Sequence, residues 1–245
     1  MKGFFLRRWA AWAPGIESEA DWLGWARAPG TLSEEGSPDV GFLPALQRRR
    51  CDQLSRMMLY VAHACCADDE LADVACVFAS RHGSLGTTVS LLEDLAVDAP
   101  LSPAGFSHSV HNTQAGLFSI WARNPLPSMS LAAGSETFGH GFLEAIGMLH
   151  RERGRSVLFV TGDQGVPEPL LALSDQPRGA HAVGLLLAAS GPGARLTLEI
   201  EATRDHQPPG SWPDAIEFVR WWVSGEPTLR FAREPRAWAW TRGTG

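Results

Sequence analysis

The chain has 245 residues, of which 44 % are hydrophobic and 20 % charged. That balance belongs to a folded globular protein and excludes global disorder. A formal net charge of −6 argues against the basic footprint of a nucleic-acid binder. The longest apolar run, near Ala182–Ala189, is far short of a membrane span, and the opening MKGFFLRR lacks the apolar core of a signal peptide.

From the start of the chain, Trp9, Trp12, Trp22 and Trp25 form one aromatic group, and Trp212, Trp221, Trp222, Trp238 and Trp240 form another near the end. A disordered tail does not carry five indoles, so both ends are expected to fold back onto the core rather than present an aromatic binding surface. Residues 26–44 are rich in Gly, Pro, Ser and acids and read as a loop. The spacing of Leu46, Leu54, Met57, Met58 and Val61 predicts a helix over Leu46–Cys66, with Arg48, Arg49, Arg50 and Arg56 on its solvated side. Cys51, Cys65, Cys66 and Cys76 lie close together and make a poor disulfide framework, so reduced thiols in a cytoplasmic protein are expected. Val74–Ala79 reads as a strand buried on both faces. Ser84–Leu95 reads as a helix with Leu91, Leu92 and Leu95 along one side. A short strand, Ser128–Ala133, precedes a helix over Ser135–His150 with Phe138, Phe142, Ile146 and Leu149 as its apolar stripe. Ser156–Thr161, Ala182–Ala189 and Ala194–Glu201 read as strands, the last two joined as a hairpin by Gly191-Pro192-Gly193. Ala215–Val223 reads as a short helix. Helices alternating with buried strands predict a single α/β layered domain over residues 1–245, with a mixed sheet.

The most informative segment is Leu101–Ala145. Its landmarks Ser102-Pro103, Asn112, Gly116, Ser119-Ile120 and Pro127-Ser128 occur at the spacing found before the catalytic cysteine of β-ketoacyl-ACP synthases, and the segment resembles the N-terminal half of that thiolase-superfamily family. Weaker echoes are Trp12-Ala13-Pro14-Gly15, Leu54-Ser55-Arg56 and Ser156–Gly162. The resemblance implies a partial, half-thiolase fold. It also places the nucleophile position on Ser135, where the family has Cys. A cysteine there works as a thiolate at a helix N-terminus, whereas a serine needs a strong general base. The second half of a full synthase, which supplies two catalytic His and a Lys, has no counterpart after Glu201, and Lys2 is the only lysine. The strings SVHNTQAG and AAGSETF are similar to the short synthase-like proteins of aryl polyene and xanthomonadin-type pigment clusters, described as chain-length factors. That implies a non-catalytic partner of a full-length ketosynthase, a pseudoenzyme with an acyl carrier protein as a further partner and no cofactor.

Several residues are candidates on this reading. Ser135 either fills a disused pocket as a helix N-cap or acts as the nucleophile of a small acyl hydrolase or acyltransferase, with His108, His111 or His140 as base. The string Ala133-Gly134-Ser135-Glu136-Thr137 is not G-x-S-x-G, and Phe138 stands where a capping box wants Glu or Gln. His111, Asn112 and Phe138 are expected to line the pocket. Asn112, Leu117, Phe118 and Trp121 are expected at the contact with the ketosynthase. His63, Cys65, Cys66, Asp68 and Asp69 fit no zinc spacing, so no metal site is expected. Gly162-Asp163-Gln164-Gly165 lacks a phosphate-binding motif. Arg48–Arg50 is a solvated face or a contact for an acidic carrier protein.

Overall fold

The computed structural model describes residues 3–152, 154–175, 177–205 and 210–243. Eight strands form one mixed sheet in the order β3-β2-β4-β5-β1-β6-β8-β7. In chain order, strand β1 (Phe4–Trp12) precedes helices α1 (Glu19–Arg27), α2 (Ala45–Arg48) and α3 (Gln53–Cys65). Strand β2 (Ala75–Ala79) follows, then α4 (Leu85–Ala96), α5 (Pro103–Ser109) and α6 (Thr113–Ala122), and then β3 (Ser128–Leu131). Helix α7 (Thr137–Arg151) leads to β4 (Val157–Asp163), β5 (His181–Ala188) and β6 (Ala194–Ala202). Helix α8 (Asp214–Ser224) and the pair β7 (Thr228–Arg233) and β8 (Arg236–Arg242) close the chain.

Alternation along β2, β4 and β5 sorts the core into two layers. Val77, Phe159 and Leu185 face α7 and α8, while Cys76, Leu158 and Leu186 face α3 and α6. Both faces are covered, which is why these strands read as continuous apolar runs. Helix α3 comes so close to β5 that a Cβ on Gly184 would lie 2.8 Å from the Val61 carbonyl oxygen. Helix α7 sits equally close to β8, where a Cβ on Gly139 would lie 2.6 Å from the Trp238 indole. The aromatic ends do pack inward: Trp12, Trp22, Trp221, Trp238 and Trp240 are buried, and Trp9, Trp25, Trp212 and Trp222 pack against the same core.

Four expectations change. The helix over Leu46–Cys66 is two helices, because Asp52 caps a new start by accepting a hydrogen bond from Ser55 N at 2.8 Å; Leu46 is left exposed. Helix α4 buries no residue, and Leu92 and Leu95 point to solvent, because its main packing partner is the short helix α5. Strands β5 and β6 are not a hairpin: β1 pairs antiparallel with both and lies between them. Finally, β3 does not run directly into a helix at Ser135. A 3-10 turn at Gly134–Glu136 intervenes, and α7 begins at Thr137.

Candidate functional site at the carboxyl ends of the parallel strands

Strand β2 pairs in parallel with both β3 and β4, so the carboxyl ends of all three open on one side. In α/β sheets this is where ligands collect. The residues just past those ends are Ser80 and Arg81 after β2, Gly134 and Ser135 after β3, and Asp163 at the end of β4. All of these but Ser80 line a cavity of about 110 Å³, to which the start of α8 and Arg233 of β7 also contribute.

Ser135 lines this cavity from the 3-10 turn and is exposed. Gly134 adopts φ +58°, a left-handed conformation that favours glycine and lets the chain turn sharply out of β3. Ser135 makes no capping bond. Thr137 does the local work instead: its Oγ1 accepts from Ala133 N at 3.0 Å and donates to the Gly134 carbonyl at 2.7 Å. Glu136 ties the turn to the C-terminal hairpin. Its carboxylate accepts from Arg236 Nη2 and from Trp238 Nε1, both at 2.9 Å. Burial alone would raise the Glu136 carboxyl, but those two hydrogen bonds together with the charge of Arg236 and the nearby His140 outweigh it and hold it below the usual range.

Of the three histidines expected near Ser135, none lines its cavity. His111 Nε2 donates to the Ser80 carbonyl at 2.8 Å, His140 lies 3.7 Å from Glu136, and His108 is on α5. Asn112 is exposed at the N-cap of α6. Of the expected pocket residues, Phe138 alone lines the cavity. Leu117 and Phe118 are buried in the chain's own core, at 6 % and 1 % exposure, and Trp121 packs partly buried against Phe118. The exposed apolar residue of α6 is Ile120.

Two polar residues share the cavity with Ser135: Asp163, which the sequence shows only as part of Gly162-Asp163-Gln164-Gly165, and His181, which it does not single out. Asp163 and His181 are direct cross-strand partners at the ends of β4 and β5, and both are buried. Asp163 Oδ1 accepts from Ser80 Oγ at 2.8 Å and Arg81 N at 2.9 Å. Burial pushes His181 below its usual range, with the Asp163 carboxylate and the bond to the Gly179 carbonyl opposing. Arg81 pairs with Asp175 and holds that carboxyl low. Arg233 pairs with Asp214, yet burial prevails and pushes Asp214 up to about 6. The sequence signal was present: polar residues ending otherwise apolar strands mark the place where a sheet meets a site. Among the described residues no cluster of His, Cys, Asp and Glu could hold a metal, the four cysteines are free, and no helix is long and apolar enough to cross a membrane.

A family model for the N-terminal domain of β-ketoacyl synthases matches residues 22–241. A chain from the complex of the ketosynthase ApeO with its chain length factor ApeC, from Xenorhabdus doucetiae, is 28 % identical with a TM-score of 0.83; the match covers 98 % of this chain and 99 % of that one. The ishigamide ketosynthase/chain length factor is similar in fold, at 16 % identity and a TM-score of 0.65 over 82 % of this chain and 68 % of that one. A β-ketoacyl synthase from Burkholderia phymatum likewise shares the fold, at 12 % identity and a TM-score of 0.65 over 84 % of this chain and 66 % of that one. No curated protein matches. With 220 consecutive residues inside the family model, the chain belongs to the β-ketoacyl synthase N-terminal domain family.

Proposed function

We propose that this chain is a non-catalytic subunit of the chain-length-factor type, which pairs with a full-length ketosynthase in an aryl polyene or related polyketide pathway in the cytoplasm. The observation that carries the reading is the end-to-end match, at 28 % identity, to a chain of a ketosynthase–chain length factor complex. His108, His111 and His140 do not line the cavity beside Ser135; a serine nucleophile there would have to draw on His181 as its base, the alternative that the Ser135→Ala comparison below tests.

The two sheet edges differ in a way that favours pairing at one of them. Edge strand β7 carries the exposed Arg230, a charge of the kind that guards an edge against other chains. Edge strand β3 reads Ser-Met-Ser-Leu, has no charge, and leaves Ser128 and Met129 exposed. Ile120 on the adjoining α6 is 73 % exposed. An apolar patch beside an uncharged open edge suits an obligate interface of more than roughly 2,000 Å². On this reading Asn112 and Trp121 flank the contact, Ile120 and Met129 centre it, and Leu117 and Phe118 support it from beneath. An acyl carrier protein is the further partner, its acidic surface meeting Arg48–Arg50 at the end of α2.

The test is coexpression with the ketosynthase encoded nearby, followed by size-exclusion chromatography at micromolar concentration. A single heterodimer peak is expected, and the isolated chain should turn over no acyl- and malonyl-carrier thioesters. Separate elution, or turnover by the isolated chain that Ser135→Ala abolishes, would overturn the proposal.

A further inference from the structure

Building on the pairing proposed above, we infer that the helical pair α4–α5 is a second docking surface for the ketosynthase, meeting a partner face that is apolar and carries basic side chains. Helices of 12 and 7 residues are too short to persist in water on propensity alone, and helices of that size ordinarily hold by laying an apolar face against a core. Here neither helix buries a single residue. The inward contact of the pair is with itself: a Cβ on Gly105 of α5 would lie 3.4 Å from Leu91 Cδ2 of α4.

The apolar side chains that point away from that contact are in solvent. Leu92 and Leu95, three residues apart and so on one face of α4, are 58 % and 56 % exposed, and Phe106 on α5 is 65 % exposed. Val97, Leu101 and Val110, at the ends of the two helices, are exposed as well. Single exposed apolar residues are normal, but this concentration in one helical pair marks an interaction surface. Its position agrees, because α5 packs against α6 and α6 against edge strand β3, so the pair adjoins the patch of Ile120 and Met129.

Charge selects the occupant. Residues 85–110 hold Glu93, Asp94 and Asp98 and no Lys or Arg. None of the three carboxylates forms an ion pair with a described residue. A second copy of this chain fits badly. A two-fold contact sets a patch against itself and would bring the same three acids together, on molecules that each carry a net charge of −6. An acidic carrier protein is repelled in the same way. A ketosynthase face with Arg or Lys around an apolar centre complements both the acids and the leucines.

The experiment compares the full chain with a variant carrying Leu95→Ser and Phe106→Ser together, each coexpressed with the ketosynthase, and adds amide hydrogen exchange of the wild type alone and in the pair. Both replaced residues are exposed, so the isolated variant should melt within about 4 °C of the wild type. Its association should weaken at least about a hundredfold. Exchange over residues 85–109 should slow at least about tenfold when the partner is present. Unchanged affinity of the variant, or unchanged exchange over that segment, would overturn the inference and leave the pairing itself standing. An isolated wild type that self-associates where the variant is monomeric would also overturn it, by making a second copy the occupant. A wild type that does not pair at all overturns the pairing and this surface together.

Discussion

Replacing Ile120 by Asp separates the surface of α6 from its core. Ile120 is 73 % exposed in the single chain, whereas Leu117 and Phe118 on the same helix are 6 % and 1 % exposed. In the isolated protein Ile120→Asp should therefore change stability by no more than about 0.5 kcal/mol, as surface substitutions do. For a domain of this length that is a shift of roughly 1–2 °C in melting temperature. In the heterodimer the same change removes a buried isoleucine, about 1.5–3 kcal/mol of apolar burial. It also leaves an unpaired carboxylate in the contact, which adds about 3–5 kcal/mol. A total of roughly 5 kcal/mol or more weakens association by over three orders of magnitude. Sedimentation of the coexpressed pair should then show two free species at micromolar concentration. Leu117→Asp and Phe118→Asp are the contrast, since each should fail to give folded protein at all. If Ile120→Asp is folded and pairs with unchanged affinity, α6 and β3 are not the contact surface. If Leu117→Asp folds normally, the assignment of that side chain to the core is wrong.

Phe142 is fully buried and its ring meets Phe4, Phe138, Phe159, Phe218 and Trp240; Phe142→Ala should cost about 3–5 kcal/mol and lower the melting temperature by roughly 10 °C, and a drop under about 3 °C would contradict this packing. Asp214 has its carboxyl raised from 3.8 to about 6, so the fold binds that proton more tightly than the unfolded chain does. Its contribution to stability is fully present below pH 3.8 and is lost as pH climbs to about 6, by about 3 kcal/mol in all. Asp214→Asn should accordingly gain on the wild type across that window in chemical denaturation, and parallel pH courses would refute the assignment. Cys51 and Cys66 are buried with thiols pushed up to about 11, and Cys65 and Cys76 are raised further by burial. A disulfide reagent at pH 7.5 should therefore titrate almost no thiol in the native protein and four in denaturant.

Sequence reading succeeded where one local pattern decides the outcome. Val157–Asp163 and His181–Ala188 are buried on both faces, so their apolar runs mark them as strands within a residue or two. It failed where partners distant in sequence decide. Gly191-Pro192-Gly193 looks like a hairpin turn, but a Cβ on Gly193 would lie 2.4 Å from the Leu6 carbonyl oxygen, because β1 runs beside it. Nothing local to residues 182–201 announces that intrusion. The leucines of α4 have the spacing of a buried stripe, and only the layout of the neighbouring helices leaves them in solvent. The helix start expected at Ser135 falls two residues later, at Thr137, after a 3-10 turn. The turn bends at Gly134 and is fastened by Thr137 and Glu136, whose partners Arg236 and Trp238 lie a hundred residues on. Asp163 stands in a segment without a binding motif and His181 in none, because their pairing across β4 and β5 is a fact of register.

The position of β1 has a consequence for biosynthesis. This strand is made before any other element of the chain, yet both of its neighbours come late: Trp12 pairs with Ala182, and Phe4 with Leu196. At about 5–20 residues per second, the segment FFLRRWAAW waits roughly 10–40 s after it is translated before the second of those strands exists. During that interval it is a stretch of aromatic and aliphatic side chains with unmatched backbone groups, the profile of a chaperone client. Arg7 and Arg8 interrupt the stretch, and in the finished protein both pair with Glu70. Charges in the middle of an apolar strand are the kind of residue that discourages self-association of an exposed segment.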